Sequence, residues 1–319
     1  MKLITFPTNQ VPAFFKWWEG IILSFIFSSP FSPAGVQENE LNREFGFVRV
    51  TGGGSVKFEK EFKEKGIQFE RLDEIESLIG GINFQLTNLE KQLFKLNVLN
   101  KNRTNYLNKQ EASQLFPFIL VNVGSGVNFH LIKDKSGERV SEGGSSIGGS
   151  VFWGLSNFLT EGRSSFSEVK EMAKEGEASK VDMTVGDIYG GDYHQLELPA
   201  SVVAGSFGKL GDYSQEEMKS VKKSDVISSL LAVVCQHVSL LALEIAKRNS
   251  VSNIVFVGGL THDNPSAQVS ISRVVAFVGR GKFSPFFLQN DQHCGALGCL
   301  LYKNKNAPLQ SNFDNQVKN

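Results

Sequence analysis

Two glycine turns carry the residue types that can hold a phosphate or lie under a nucleotide. Gly124-Ser125-Gly126 follows the apolar run Phe116 to Val123 and precedes the alternating run Val127 to Lys133. A glycine turn between two strands lets backbone N–H groups approach phosphate oxygens closely, and Ser125 adds a hydroxyl. The same three residues also make a plain tight hairpin, so the turn alone leaves both readings open. Gly258-Gly259 closes the short apolar run Asn253 to Val257. Bare backbone there can receive a ribose or a nucleotide ring, or can simply turn a strand into a helix. Gly295 and Gly298, three apart on a helical segment, let two helices cross closely. Metal chemistry has no such support. Cys235 and His237 are two apart on a helix and point to different faces. The three cysteines contain no C-x-x-C pair and no disulfide framework, which suits a reducing, cytoplasmic setting and predicts no protein-held metal.

The elements that must position these turns follow from periodicity and capping. A short strand over 45–50 runs into Thr51-Gly52-Gly53-Gly54, with Ser55 expected to cap a helix through about Lys65. A second helix is expected over Leu72 to Ile79, opened by Asp73 and stopped by Gly80-Gly81. Residues 84–114 read as an irregular polar excursion with some helix. Phe116 to Val123, Val127 to Lys133 and Arg139-Val140 form a hairpin series. Gly143 to Ser150 is a glycine-rich loop opening a helix over 151–159, and Ser165 to Glu168 is a capping box. Ser224 to about Lys247 is the longest helix and is apolar round most of its circumference, which places it in a core or at a subunit interface. A strand over 253–257, a helix over 267–278, a strand over 283–288 and a last helix carrying Gly295 to Gly298 complete the order.

Composition agrees with a folded, core-forming chain: 41% of residues are hydrophobic and 21% charged. The formal net charge is zero with no arginine-rich run, which argues against nucleic acid as a partner. Ile21 to Phe27 is strongly apolar. Lys16, Glu19, Pro30 and Pro33 keep it well short of the ~20 residues a membrane helix needs, so no membrane partner is expected. The 303–319 tail is polar and reads as disordered.

The order of phosphate hairpin, long helix, strand–GG turn and small-residue helix resembles the second half of the α/β actin/hexokinase/Hsp70-like (ribonuclease H-like) nucleotide-binding fold. On that reading 1–115 is the remnant of a first actin-like subdomain with insertions, and 116–302 is the second, carrying a dimerisation helix. More specific segments resemble the eukaryotic-type (type II) pantothenate kinases. They are Thr51-Gly-Gly-Gly with Lys57-Phe58-Glu59, Leu72-Asp73-Glu74, Val121 to Val127 (VNVGSGV) and Arg139-Val140. Asp187 to Tyr193 (DIYGGDY), Ala204 to Gly208 (AGSFG), Val255 to Gly258 and Gly295 to Gly298 follow, and even Phe6-Pro7 and Pro12 match. The resemblance implies transfer of phosphate from ATP, with Mg²⁺, to the 4′-hydroxyl of pantothenate. It makes Glu74 the catalytic base and Ser125, Arg139, Ile188, Tyr189, Tyr193 and Ala204 the groups lining the pantothenate site. Gly124, Gly126, Gly258 and Gly259 become nucleotide-binding. It also implies feedback inhibition by acyl-CoA, since Ala204 to Phe207 match a stretch near the thioester, and a homodimer through the long helix.

The chain departs from the family pattern in places. No D-x-G-G-T hairpin precedes the matched region, so the N-terminal part of the fold is expected to be incomplete and phosphorylation by this chain weak or absent. Ser150 stands where the family has a third glycine, in a loop two residues longer, and Asn128 stands where it has Ser. Gln289 to Cys294 replace E-x-E-G-Y-F, and 20–44 is an extra stretch. The alternative expectation is a catalytically silent homologue that binds CoA-related ligands or pairs with an active kinase.

Overall fold

The computed structural model describes residues 48–64, 69–98 and 103–302. The apolar stretch at 21–27, the Phe6-Pro7 and Pro12 matches and the 303–319 tail lie outside the described residues. In chain order the elements are β1 (Val48–Val50), α1 (Gly53–Lys57), α2 (Glu59–Glu64), β2 (Phe69–Arg71), α3 (Glu74–Asn88), β3 (Leu93–Asn97), β4 (Arg103–Tyr106) and α4 (Lys109–Ser113). Then follow β5 (Phe118–Val123), β6 (Val127–Ile132), β7 (Arg139–Ser145), α5 (Gly149–Leu159), α6 (Phe166–Glu175), β8 (Met183–Thr184), α7 (Val185–Tyr189) and β9 (Val203–Gly205). The last are α8 (Gln215–Ser220), α9 (Lys223–Arg248), β10 (Asn253–Val257), α10 (Pro265–Val278), β11 (Ser284–Leu288) and α11 (Cys294–Leu301). The chain divides into two compact units, Met1–Phe84 with His293–Asn319, and Gln85–Gln292.

In the first unit β1 and β2 run parallel, Val48 beside Phe69 and Val50 beside Arg71. Phe62 is buried there against Val48, Val50, Phe58 and Phe69. The helix expected from Ser55 is two short helices broken at Phe58. Ser55 does not stand outside as a cap; its hydroxyl donates to Gly52 O at 2.6 Å from inside α1. The helix expected to stop at Gly80-Gly81 runs on to Asn88. A Cβ on Gly81 would sit 2.0 Å from Cys294 O, and one on Gly298 would sit 1.8 Å from Ser77 O. These glycines are the contact between two crossing helices, and the packing outweighs their poor helix propensity. The close crossing expected of Gly298 is present.

The second unit is built on a seven-stranded mixed sheet in the order β4-β3-β11-β10-β5-β6-β7. β5, β6 and β7 form an antiparallel meander, and β10 and β11 run parallel to β5. β5 is almost continuously buried because both its faces are covered, which is why it reads as an unbroken apolar run. β3 and β4 correct the expectation of an irregular excursion: Leu93 and Phe94 are buried and pair antiparallel with Leu288 and Phe287 of β11. The long helix α9 packs against α5, α6, α10 and the sheet. Ile227, Leu230, Val234, Val238 and Ala242 are buried in the main core with Ile119, Val121, Phe152 and Phe256. By length and composition α9 is also apolar enough to cross a membrane; here 56% of its most apolar window is covered by protein. The capping box at Ser165 forms as expected, and Asn108, Thr184 and Ser214 open helices in the same way.

Candidate functional site

In the second unit the glycines singled out from the sequence meet at one edge of the sheet, the carboxyl ends of β5 and β10. Val257 pairs with Asn122, so the two turns emerge side by side. Gly258 has φ +111, and a Cβ there would lie 2.5 Å from Val123 O. The amino end of α5 closes on the same place: Gly149 N–H donates to Gly124 O and Ser150 N–H to Ser125 O, both at 2.9 Å. A Cβ on Gly126 would lie 3.0 Å from Ser145 O and one on Gly148 2.8 Å from the Gly126 carbonyl carbon. Those two glycines are required by protein packing. Gly259 differs, since a Cβ there meets nothing within 4 Å, and one on Gly124 meets only Gly126 O at 3.8 Å. Open bare backbone at the carboxyl ends of parallel strands, beside a helix amino end, is where a phosphorylated ligand settles in α/β sheets. The departure at Ser150 has a structural part: its hydroxyl donates to Ser125 O at 2.7 Å and ties α5 to the turn.

Sequence reading missed Asp291 and His262. The buried Asp291 carboxylate accepts from Gly258 N–H at 2.8 Å, and His262 Nδ1 lies 2.5 Å from its other oxygen. Burial raises the Asp291 pKa above the usual carboxylate range, opposed by the Gly258 bond and by His262. An aspartate just past β11, level with the glycines just past β10, is the signal that could have found it.

A second cluster lies in the excursion between α6 and α9. Ile188 and Tyr189 sit on α7, both about half exposed. The Tyr189 and Tyr193 rings stack at 4.3 Å between centroids and 11° between planes. β8 pairs with β9, which brings Ala204 into the same module. The acidic residues of the DIYGGDY motif serve the scaffold. Asp187 accepts from Thr184 N–H and hydroxyl and pairs with Lys209 at 2.8 Å; Asp192 accepts from Ala200 N–H at 2.7 Å. Lys209, then Thr184, hold the Asp187 carboxyl down to about 2. Beside β9 opens a cavity of ≈790 Å³ lined by Val203, Leu231, Gln236, Arg273, Val274 and Phe277 among others.

Arg139 stands apart from Ser125. It begins β7 opposite Ile132, whereas Ser145 lies opposite Val127 at the Ser125 end. Five strand residues, roughly 17 Å of rise, separate the two ends. In the first unit Glu74 opens α3 with its carboxylate over Gly52, 3.6 Å from where a Cβ would stand. Leu72 N–H donates to Val50 O and the Thr51 hydroxyl to Leu72 O, so Glu74 and the glycines after β1 are held together. Among the described residues no group of three or more His, Cys, Asp or Glu side chains could hold a metal. Mg²⁺ that arrives with nucleotide phosphates needs no dedicated protein cage.

The model of the Fumble family, the type II pantothenate kinases, matches residues 1–302. The chain belongs to the Fumble family. Among its relatives, pantothenate kinase 1 of Arabidopsis thaliana is 36% identical over 289 residues, covering 87% of this Fumble chain and 72% of that protein. Pantothenate kinase 2 of the same plant is 35% identical over 264 residues, 80% of this chain and 28% of that one. A mouse protein named 4′-phosphopantetheine phosphatase is 32% identical over 268 residues, 83% of this chain and 32% of that one. The Fumble chain therefore spans under a third of the length of the last two. Among solved structures, a putative N-acetylmannosamine kinase from Listeria monocytogenes matches at TM-score 0.32 and 11% identity, covering 76% of this chain and 67% of that one. Balamuthia mandrillaris glucokinase matches at 0.34 and 10%, covering 73% and 65%.

Proposed function

We propose that the chain is a pantothenate kinase, transferring phosphate from ATP to the 4′-hydroxyl of pantothenate in the first step of coenzyme A synthesis. The observation that carries this is the meeting of Gly124, Gly126, Gly258 and Gly259 with the α5 amino end at one sheet edge, in a Fumble-family chain. The residues fit the phosphate part of ATP: Gly124 and Gly259 offer backbone with no side chain in the way. Bound Mg²⁺ would supply charge neutralisation on the phosphates. We assign Glu74 as the base that accepts the hydroxyl proton while that oxygen attacks the γ-phosphorus; the bond to the bridging oxygen breaks and ADP leaves. Ser125, Ile188, Tyr189, Tyr193 and Ala204 are assigned to the pantothenate side, and Arg139 to its carboxylate. The cavity beside Val203 is assigned to the acyl chain of an inhibitory acyl-CoA, and α9 to a homodimer contact. Cys235, Cys294 and Cys299 are buried and in no disulfide, which supports a cytoplasmic setting.

The test is pantothenate-dependent ADP release from ATP and Mg²⁺ by the purified chain. Release that Glu74→Gln removes supports the assignment. The departures at Asn128, Ser150 and Gln289 to Cys294 favour a second reading, a silent homologue that binds CoA-related ligands. No ADP release together with retained acetyl-CoA binding selects that reading.

A further inference from the structure

Asp182 is a buried carboxylate that the proposed reaction leaves without a task. It is 1% exposed, lies just before β8, and has no ion pair among the described residues. A buried charge without a cation persists where hydrogen bonds replace water. One oxygen of Asp182 supplies them, accepting from Phe207 N–H at 2.8 Å and from the Ser229 hydroxyl on α9. Ser229 is fully buried.

Phe207 has φ +58, a left-handed conformation that a bulky aromatic residue rarely adopts and that surrounding structure must hold. The rest of the segment is fastened nearby. Lys209 N–H donates to Val181 O at 3.1 Å, and a Cβ on Gly208 would lie 2.8 Å from the Met183 Cβ. β9 pairs with β8 at Met183 and Thr184. The two groups tied by Asp182 stand behind two segments that line one cavity, Ser201 to Val203 and the Ser228 to Gln236 stretch of α9. Val203 forms the rim just ahead of Phe207, and Ser228, Leu231 and Ala232 flank Ser229 on α9.

We infer that Asp182, with Ser229, is a positioning residue for ligand binding: by holding Phe207 left-handed it anchors the end of the β9 segment whose Ser201, Val202 and Val203 line the ≈790 Å³ cavity. The inference rests on reading that cavity as the acyl-CoA site. A carboxylate suits the role because one oxygen can accept both an amide and a hydroxyl strongly.

The test compares wild type with Asp182→Asn and Ser229→Ala, well below their melting midpoints. It reads acetyl-CoA affinity by calorimetry, affinity for a non-hydrolysable ATP analogue, and hydrogen exchange of the Phe207 amide. Asp182→Asn keeps an acceptor oxygen but loses the charge that strengthens both bonds, and is expected to weaken acetyl-CoA about tenfold. It should leave the ATP analogue unchanged and speed Phe207 exchange. Unchanged Phe207 exchange in both single variants overturns the proposal. So does an equal loss of both affinities, which would mark Asp182 as a general fold residue. If wild type binds no acetyl-CoA, the acyl-CoA reading falls and the ligand part of the proposal with it, while the exchange result still decides whether Asp182 holds the rim.

Discussion

The two adjacent glycines after β10 should respond oppositely to the same added methyl group. At Gly258 an alanine meets two penalties. Its φ of +111 is outside the range of L residues, which costs about 1–3 kcal/mol. Its Cβ would stand 2.5 Å from Val123 O, 2.7 Å from Val123 C and 3.0 Å from Val123 N, all backbone atoms of a central strand that cannot swing aside. Overpacking of that kind costs about 1–3 kcal/mol more. The sum, about 2–6 kcal/mol, is a large part of a domain's usual margin of about 5–15 kcal/mol. At roughly 2–4 °C per kcal/mol for a unit of this size, Gly258→Ala should lower the melting midpoint by roughly 4–24 °C. At Gly259 a Cβ meets nothing within 4 Å and φ is ordinary, so Gly259→Ala should move the midpoint by less than about 2 °C. Its methyl group instead fills the open space proposed for the nucleotide and should weaken ATP-analogue binding at least about tenfold. Calorimetric melting and analogue titration of both variants decide the matter. A Gly258→Ala midpoint equal to wild type would refute the packing argument. Unchanged nucleotide affinity in Gly259→Ala would refute the placement of the ligand.

Whatever ADP release the chain supports, Glu74→Gln should cut its kcat about 100- to 10,000-fold with little change in the pantothenate KM; near-normal kcat removes Glu74 as the base. Asp187 is held down to about 2 by Lys209 and Thr184, so its contribution is present above its ordinary value near 3.8 and is lost as pH falls toward about 2. Asp187→Asn should therefore flatten the acid titration of the Thr184 amide shift between about pH 4 and pH 2; an unaltered titration removes the pairing. Ser150→Gly loses the bond to Ser125 O and adds backbone freedom in the first turn of α5, together about 1–2 kcal/mol. Exchange at Ser125 and Gly126 should quicken, and equal exchange would show that the tie is idle.

How much was legible in the sequence depended on how far each signal's cause lay along the chain. The β5–β6 hairpin and the Ser165 capping box were legible because their partners lie within a few residues. The glycines of the two turns were legible as types, but which of them answers to packing was not. That distinction comes from Ser145 and Val123 on other strands. Gly80-Gly81 read as a helix stop because propensity is local, whereas Cys294, which requires Gly81 to be bare, is more than 200 residues away. β3 and β4 were missed for a similar reason. Leu93 and Phe94 are strand-like only because β11 offers them an edge, and the Lys and Asn residues around them hide the alternation. Asp182 and Asp291 carried no local pattern, since their partners Phe207, Ser229, Gly258 and His262 lie 25 or more residues off.

The DIYGGDY motif shows how a functional signature can be mostly scaffold. Its two aspartates are spent on Thr184, Lys209 and the Ala200 amide. Gly190, at φ +75, ends α7 in a left-handed step that another residue would resist. What those ties leave outward is Ile188, Tyr189 and Tyr193, with two rings already stacked. The exposed Ile188 and Tyr189 and the half-buried Tyr193, on so firmly stitched a loop, lose little further freedom when something lies against them, which favours binding. The distinctive letters therefore hold the surface in place, and the contacts proposed for pantothenate come from the ordinary-looking letters between them.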